Sequence, residues 1–447
     1  MGIGVVTTKY GKISGVKQDG YTVFKGVRYA KPPVGELRFA PPAEPEPWEG
    51  IQRADTFGKM CAQFNSNDEG FYKKEFYSHP DFQFEMDEDG LFLNVWTPAD
   101  SSTDRLPVAM WLHGGAYMGG CGSELEFDGE ALAKKGVILV TVNYRLGALG
   151  FLAHPWLTKE SPNHVSGNYG TLDQIAALRY VRENIAAFGC NPESITVFGQ
   201  SAGCMSTQTL ITSPLSRNMI SKAILQSGGG YHFPLFANKT LADAERAGER
   251  FVACTGAKSL EELRALPVER ILQAQVMFFM DALKSGAVDG LPFAPVIDGY
   301  VLTEGYDTAI ENNNIAHADY LIGSTRNDIT VTSEMLAAGE KSPVYQSSAA
   351  FSLKLEELGR APAYVYYFTR QLPGDDAGAF HSSELWYMFG TLDRCWRPST
   401  EADYALSDRM VSYWANFIKS GDPNGEGLPA WEKHSMGNPF VEILDID

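Results

Sequence analysis

Residues 195–203 read Ile195-Thr196-Val197-Phe198-Gly199-Gln200-Ser201-Ala202-Gly203. The first four are β-branched or aromatic, the composition of a short buried strand. A Gly-x-Ser-x-Gly turn follows, and after it an Ala-containing segment opens a helix. Glycines two positions either side of the serine remove side chains that would collide across a sharp turn. A serine set between strand and helix in this way projects its hydroxyl at the end of a sheet, where it can act as a nucleophile. The pattern occurs once in the chain.

Working outward, apolar runs recur on both sides. Pro107–Leu112 and Val137–Val142 precede the turn as expected buried strands, and Ala223–Leu225, Tyr320–Ile322 and Tyr364–Phe368 follow it. Asp173–Phe188 has Ile175, Leu178, Val181, Ile185 and Phe188 at helical spacing, with Gly189 as a stop. Strands separated by helices of this length predict an α/β fold: a mostly parallel central sheet with helices on both faces. Residues 234–290 break the alternation. They read as helical, with a capping-box pattern at Ser259 and Glu262 and an apolar cluster at Val276–Met280. This stretch is expected to be an insertion forming a pocket wall or cap, as is 329–360. Phe278, Phe279 and Met280 are candidates for the wall, although an apolar helical stripe more often belongs to a core.

The 447 residues carry 37 Lys and Arg against 55 Asp and Glu, a net charge of −18, and 44% are hydrophobic. So apolar a chain is not an acidic disordered polymer. Its acidity argues against a nucleic-acid partner and against anionic membranes. No basic-then-apolar leader is visible at the N-terminus and no run is long enough to span a bilayer. Six scattered cysteines lack metal-ligand spacing and are expected as reduced thiols, so the expected location is cytoplasmic.

Three further sites complete a chemistry around Ser201. His113-Gly114-Gly115-Ala116 follows the Pro107–Leu112 strand, where backbone N–H groups can face a substrate carbonyl; Gly115, Ala116 and Ala202 are the candidate oxyanion donors. A serine also needs an imidazole to take its proton and a carboxylate to fix the ring. Of the histidines after Ser201, His381 lies in a small-residue loop after a strand, whereas His232, His317 and His434 suit surface, core or polar-tail roles. Asp328 follows the Tyr320–Ile322 strand. Asp298 sits in a Val-Ile-Asp-Gly turn, and Asp319 lies at the wrong end of its strand.

With these residues placed, the sequence resembles the type-B carboxylesterase family, which includes cholinesterases and bacterial para-nitrobenzyl esterases. The resemblance runs nearly end to end, through Phe24–Gly35, Glu88–Val95, Asn143–Gly147, Gly167–Gln174 and Tyr413–Asn424. It implies an α/β-hydrolase fold in a single domain over 1–447, and a Ser201–Asp328–His381 triad that cleaves carboxylic esters through an acyl-enzyme. It implies no metal or organic cofactor and a small-molecule ester as partner, and leaves monomer against homo-oligomer open, as it does amide cleavage or acyl transfer.

The chain departs from the family's pattern at four points. Asp328 stands where Glu is usual, so its loop must come closer to the base. Gly90 stands where extracellular members have a cysteine that would pair with Cys61. Gln200 replaces the glutamate of cholinesterases, which weakens any case for a cationic alcohol. Only 53 residues separate Asp328 from His381, which predicts a reduced helical cap and an open site.

Overall fold

A computed structural model describes residues 2–64, 70–82, 84–233, 235, 237–284 and 290–446. Among them, one large sheet contains β1 (Val16–Lys17), β2 (Thr22–Arg28), β3 (Phe92–Thr97), β4 (Leu106–Leu112), β5 (Ile138–Val142), β6 (Cys190–Gln200), β7 (Lys222–Gln226), β8 (Asp319–Thr325), β9 (Tyr364–Phe368) and β10 (Glu442–Leu444). The order across it is β10-β9-β8-β7-β6-β4-β5-β3-β2-β1. From β5 through β4 and β6 to β10 every pairing is parallel. The β5–β3, β3–β2 and β2–β1 pairings are antiparallel. This is the α/β-hydrolase fold, with the expected mostly parallel sheet.

The sheet alternates strictly between two cores, because successive side chains of a strand point to opposite faces. Val108, Met110 and Leu112 of β4 and Val197 of β6 enter one core; Ala109, Trp111 and Phe198 enter the other. The helices that matter for the site are α1 (Phe71–Phe76), α2 (Tyr169–Asn184), α3 (Ala202–Thr212), α4 (Leu241–Thr255), α5 (Val268–Lys284), α6 (Pro343–Glu357), α7 (Leu385–Met388) and α8 (Glu401–Ser420). Helices α2, α3 and α6 cover the first face through Ile175, Leu178, Leu210, Ile211, Phe351 and Leu355. Helix α8 covers the second through Leu406, Met410, Trp414 and Phe417. Gly189, at φ 86°, ends the short 3-10 turn that extends α2, as its position in the sequence predicts.

The two expected insertions fold differently. Helices α4 and α5 pack on each other beside the sheet; within 234–290, residues 234, 236 and 285–289 lie outside the described residues. Ser259 caps its helix by accepting from the Glu262 N–H at 3.2 Å, but the Glu262 carboxylate reaches past the capping position to the Lys258 N–H. Within 329–360, α6 lies flat on β8 and β9 with Val344, Phe351 and Leu355 fully buried. The Pro343–Glu357 part of that segment is a sheet-covering helix, because its apolar face is spent on the core. His434, in the polar tail, is buried, with Nδ1 3.0 Å from the Phe440 carbonyl.

All six cysteines are free. At Gly90 an added Cβ would lie 2.8 Å from Cys61 Sγ, so the position facing Cys61 holds no side chain at all. No helix among the described residues is long and apolar enough to cross a membrane.

Candidate active site

Ser201 stands between β6 and α3 at φ 58°, ψ −125°, a strained conformation for any residue with a side chain. Its N–H donates to the Gln226 carbonyl at 2.9 Å, tying the turn to the end of β7. The glycine requirement is steric. A Cβ on Gly199 would land on the Gly203 carbonyl, and one on Gly203 would land on the Leu112 carbonyl at the end of β4. The turn is therefore packed backbone on backbone against the strand that carries the His-Gly-Gly loop.

Asp328 leaves the end of β8 with both carboxylate oxygens held by its own turn. Thr325 N–H donates to Oδ2 at 3.0 Å and Ile329 N–H to Oδ1 at 2.8 Å. His381 Nδ1 approaches Oδ1 at 2.6 Å, and the Asp328 side chain is fully buried. Asn327 supplies the close approach that the shorter Asp demands. Its N–H donates to the Ala379 carbonyl at 2.9 Å, and its Oδ1 accepts from the Ala379 N–H at 3.1 Å. The acid loop and the base loop are thus stitched together one residue before Asp328 and two residues before His381.

Burial disfavours a charged His381 ring, but the Asp328 charge and hydrogen bond, with the Glu384 charge behind them, outweigh it and raise its pKa. The ring's other edge faces the Gln200 carboxamide, whose Nε2 lies 3.2 Å from His381 Nε2. Among the described residues the Ser201 hydroxyl makes no hydrogen bond, so in this conformation Gln200 occupies the nitrogen that would receive a proton from Ser201. Tyr72, on α1, donates to the His381 carbonyl at 3.2 Å.

The His-Gly-Gly loop lies over the turn, with Gly114 close enough that a Cβ there would sit 3.2 Å from Ser201 Cβ. Gly115 has φ 98° and Ala116 φ 54°. The Gly115 carbonyl accepts from Met118 and Gly119 N–H groups, at 2.9 and 3.1 Å. Among the described residues the N–H groups of Gly115, Ala116 and Ala202 donate to nothing.

The alternatives weighed from sequence lie elsewhere. Asp298 Oδ1 accepts from Tyr300, Val301 and Leu302 N–H groups, a structural turn, and Asp319 opens β8 at its far end. His232 is exposed beside Asp307. Beside the Ser201 helix, a cavity of ≈ 50 Å³ is lined by Tyr117, Phe151, Met205, Phe293 and neighbours from the α4–α5 region. Phe278, Phe279 and Met280 do not line it. Phe278 is core, packed with Phe251 and Phe293, while Phe279 and Met280 are exposed on α5.

Sequence reasoning gave no weight to Glu384, Gln226 and Tyr144. Glu384 is fully buried three residues after His381, and neither carboxylate oxygen has a partner among the described residues. Gln226 accepts from Trp414 Nε1 at 3.1 Å. A charged residue between Ser382-Ser383 and the apolar stretch Leu385–Phe389 was the available signal for Glu384.

A sequence profile described as "Carboxylesterase family" matches residues 3–358 and 341–446. The fumonisin B1 esterase of Sphingopyxis macrogoltabida is 42% identical, the match covering 95% of this chain and 84% of that one. The para-nitrobenzyl esterase of Bacillus subtilis (strain 168) is 33% identical over 99% of this chain and 95% of its own. Among solved structures, a thermophilic PNB esterase superposes with a TM-score of 0.84 at 30% identity, covering 99% of this chain and 96% of that one.

Proposed function

The chain belongs to the carboxylesterase family and is a carboxylic-ester hydrolase, and on that premise we propose that Ser201, His381 and Asp328 are its catalytic triad. One observation carries the assignment. The His381 ring spans from Asp328, at 2.6 Å, to Gln200, the residue before Ser201, at 3.2 Å. Three loops at the C-terminal ends of β6, β8 and β9 thereby converge on one imidazole.

The acid's location fixes the tautomer. Asp328 offers only acceptors, so Nδ1 carries the hydrogen and Nε2 keeps its lone pair. For catalysis Nε2 exchanges Gln200 for the Ser201 hydroxyl, takes its proton, and Ser201 Oγ attacks the ester carbonyl. The carbonyl oxygen becomes an oxyanion that the N–H groups of Gly115, Ala116 and Ala202 receive. The imidazolium, supported by Asp328, gives its proton to the leaving alcohol. A water activated by the same nitrogen then releases the acid. The residues of this scheme run from Gly115 to His381, which supports treating 1–447 as one domain with α4 and α5 as an inserted wall. The six free thiols support a reducing, cytoplasmic setting. The substrate is a small-molecule ester.

Ser201→Ala tests the assignment. It is expected to abolish hydrolysis of para-nitrophenyl esters, and an organophosphate is expected to add to Ser201 by mass spectrometry. Retention of most activity, or an adduct on another residue, overturns the triad.

A further inference from the structure

The backbone of the His-Gly-Gly loop is held at its carbonyls. Tyr144 donates its hydroxyl to the His113 carbonyl at 2.7 Å. The Tyr144 ring lies on the imidazole of His113, centroids 4.4 Å apart and 16° from parallel. His113 Nδ1 in turn lies 2.8 Å from the carbonyl of the next residue, Gly114. Both side chains are buried. The ring's slot is built to fit: a Cβ on Gly120, which has φ 104°, would come within 2.5 Å of His113 Nδ1.

In a trans peptide the C=O of one residue and the N–H of the next point in opposite directions, and there is no cis peptide bond among the described residues. Holding the Gly114 carbonyl inward therefore turns the Gly115 N–H outward. We propose that His113 and Tyr144 are positioning residues for ester hydrolysis: the His113 ring fixes the Gly114–Gly115 peptide so that the Gly115 N–H faces the oxyanion, and Tyr144 fixes the ring. This rests on the oxyanion assignment above and goes beyond it, since neither side chain touches substrate.

The tautomer suits the role. A carbonyl accepts only, so the hydrogen sits on Nδ1, and Nε2 has no partner among the described residues. Burial pushes the His113 ring down to about 4, so it stays neutral and keeps this single donor through the neutral pH range. A charged ring would carry a second hydrogen with no acceptor. The Gly115 N–H, by contrast, donates to nothing among the described residues and lies at an exposed position. A preorganised donor of this kind needs no reorganisation as charge develops, which is what makes such a group effective.

The experiment compares His113→Leu, His113→Asn and Tyr144→Phe in the full chain, with thermal melts to establish folding. Readouts are kcat and KM on a para-nitrophenyl ester and the Ki of a trifluoromethyl ketone, whose adduct with Ser201 carries the oxyanion. The Nδ2 of asparagine can stand where the imidazole Nδ1 stands, so Asn restores the donor and Leu does not. Expected are a loss of roughly 100-fold in kcat for His113→Leu with KM little changed, recovery to within roughly tenfold of wild type for His113→Asn, and roughly tenfold loss for Tyr144→Phe, each with a parallel weakening of the ketone. A His113→Leu enzyme within roughly threefold of wild type, or an Asn variant no better than Leu, overturns the proposal. If the His113 variants do not fold, Tyr144→Phe decides: kcat and ketone affinity falling together support it, and unchanged ketone affinity overturns it. Loss of the parent reading is separate, because it shows as activity in Ser201→Ala.

Discussion

Two carboxyl groups flank His381, and they are equally buried. Asp328 sits in a turn whose own N–H groups serve both oxygens, with the imidazole completing Oδ1. Glu384 sits at the other end of the base loop with neither oxygen partnered among the described residues. Burial pushes Glu384 up to about 7, and the nearby Asp328 charge pushes the same way. Hydrogen bonds rather than depth separate the two. The acid turn recognises a group that only accepts, whereas around Glu384 burial and the Asp328 charge outweigh the His381 charge and the Gln226 side chain, which favour the anion. Two carboxylates so near each other would repel, and the structure resolves this by serving one and leaving the other to hold a proton.

The same isosteric change on each carboxyl tests that division. Asp328→Asn replaces an acceptor with a group that can donate, so the imidazole is free to turn into the wrong tautomer. A fall in kcat of about 10⁴ is expected, the size associated with losing this role in a serine triad. Stopped-flow or steady-state hydrolysis of a para-nitrophenyl ester measures it, and a loss under about tenfold would mean that the ring is oriented by something else. A smaller change sharpens the comparison from the other edge of the ring. Gln200→Glu puts a third carboxylate within reach of His381 Nε2, where the present amide lies at 3.2 Å. An anion there favours the imidazolium, and catalysis needs the neutral ring. The acid limb of the kcat/KM profile is therefore expected to move to higher pH, by about one unit. An unmoved limb would show that position 200 does not face the base in solution.

How much of this was legible depends on whether a contact leaves a local trace. Gly199 and Gly203 did, because only a missing side chain lets β6, α3 and the end of β4 meet, and that demand is written within five residues. The parallel strands β4 to β9 were legible as buried apolar runs, whereas β10, three residues long with an exposed Ile443, was not. The antiparallel margin was not: β2 is interrupted by a register shift between Phe24 and Val27, and β3 carries buried Asn94, whose amide serves Gly26, Ser123 and Thr141. Asp328 and His381 could be placed by strand order. What holds them at 2.6 Å is Asn327 bonding Ala379, a contact across 52 residues that no spacing announces. Tyr144 and Gln226 were hidden for the same reason. Each works through a backbone or side-chain partner brought up by a different element, the end of β4 for Tyr144 and helix α8 for Gln226. The helical region α4–α5 was legible as helix but not as surface, since the amphipathic stripe alone does not say that Phe278 is buried and Phe279 exposed.

A further expected effect is in stability rather than in rate. Glu384 titrates near an ordinary 4.5 when the chain is unfolded and about 7 when folded. Between those values the folded state holds a proton that the unfolded state has released. Raising the pH through this window therefore favours unfolding, and the penalty is complete above about 7. Glu384→Gln keeps the volume and removes the ionisation. Its melting temperature relative to wild type should be lowest near pH 4.5, climb as the pH rises to about 7, and then level off, an advantage of up to ~3 kcal/mol. The substitution leaves the Asp328–His381 contact intact, so its catalytic effect is expected only in the acid limb of the pH profile, which moves to lower pH as the charge behind His381 is lost. Thermal melts of the two proteins at matched ionic strength from pH 5 to 8 give the comparison. A difference in melting temperature that does not vary with pH would mean that Glu384 is ionised throughout, with a partner in solution that serves it as the turn serves Asp328. The two carboxyl groups would then be alike after all.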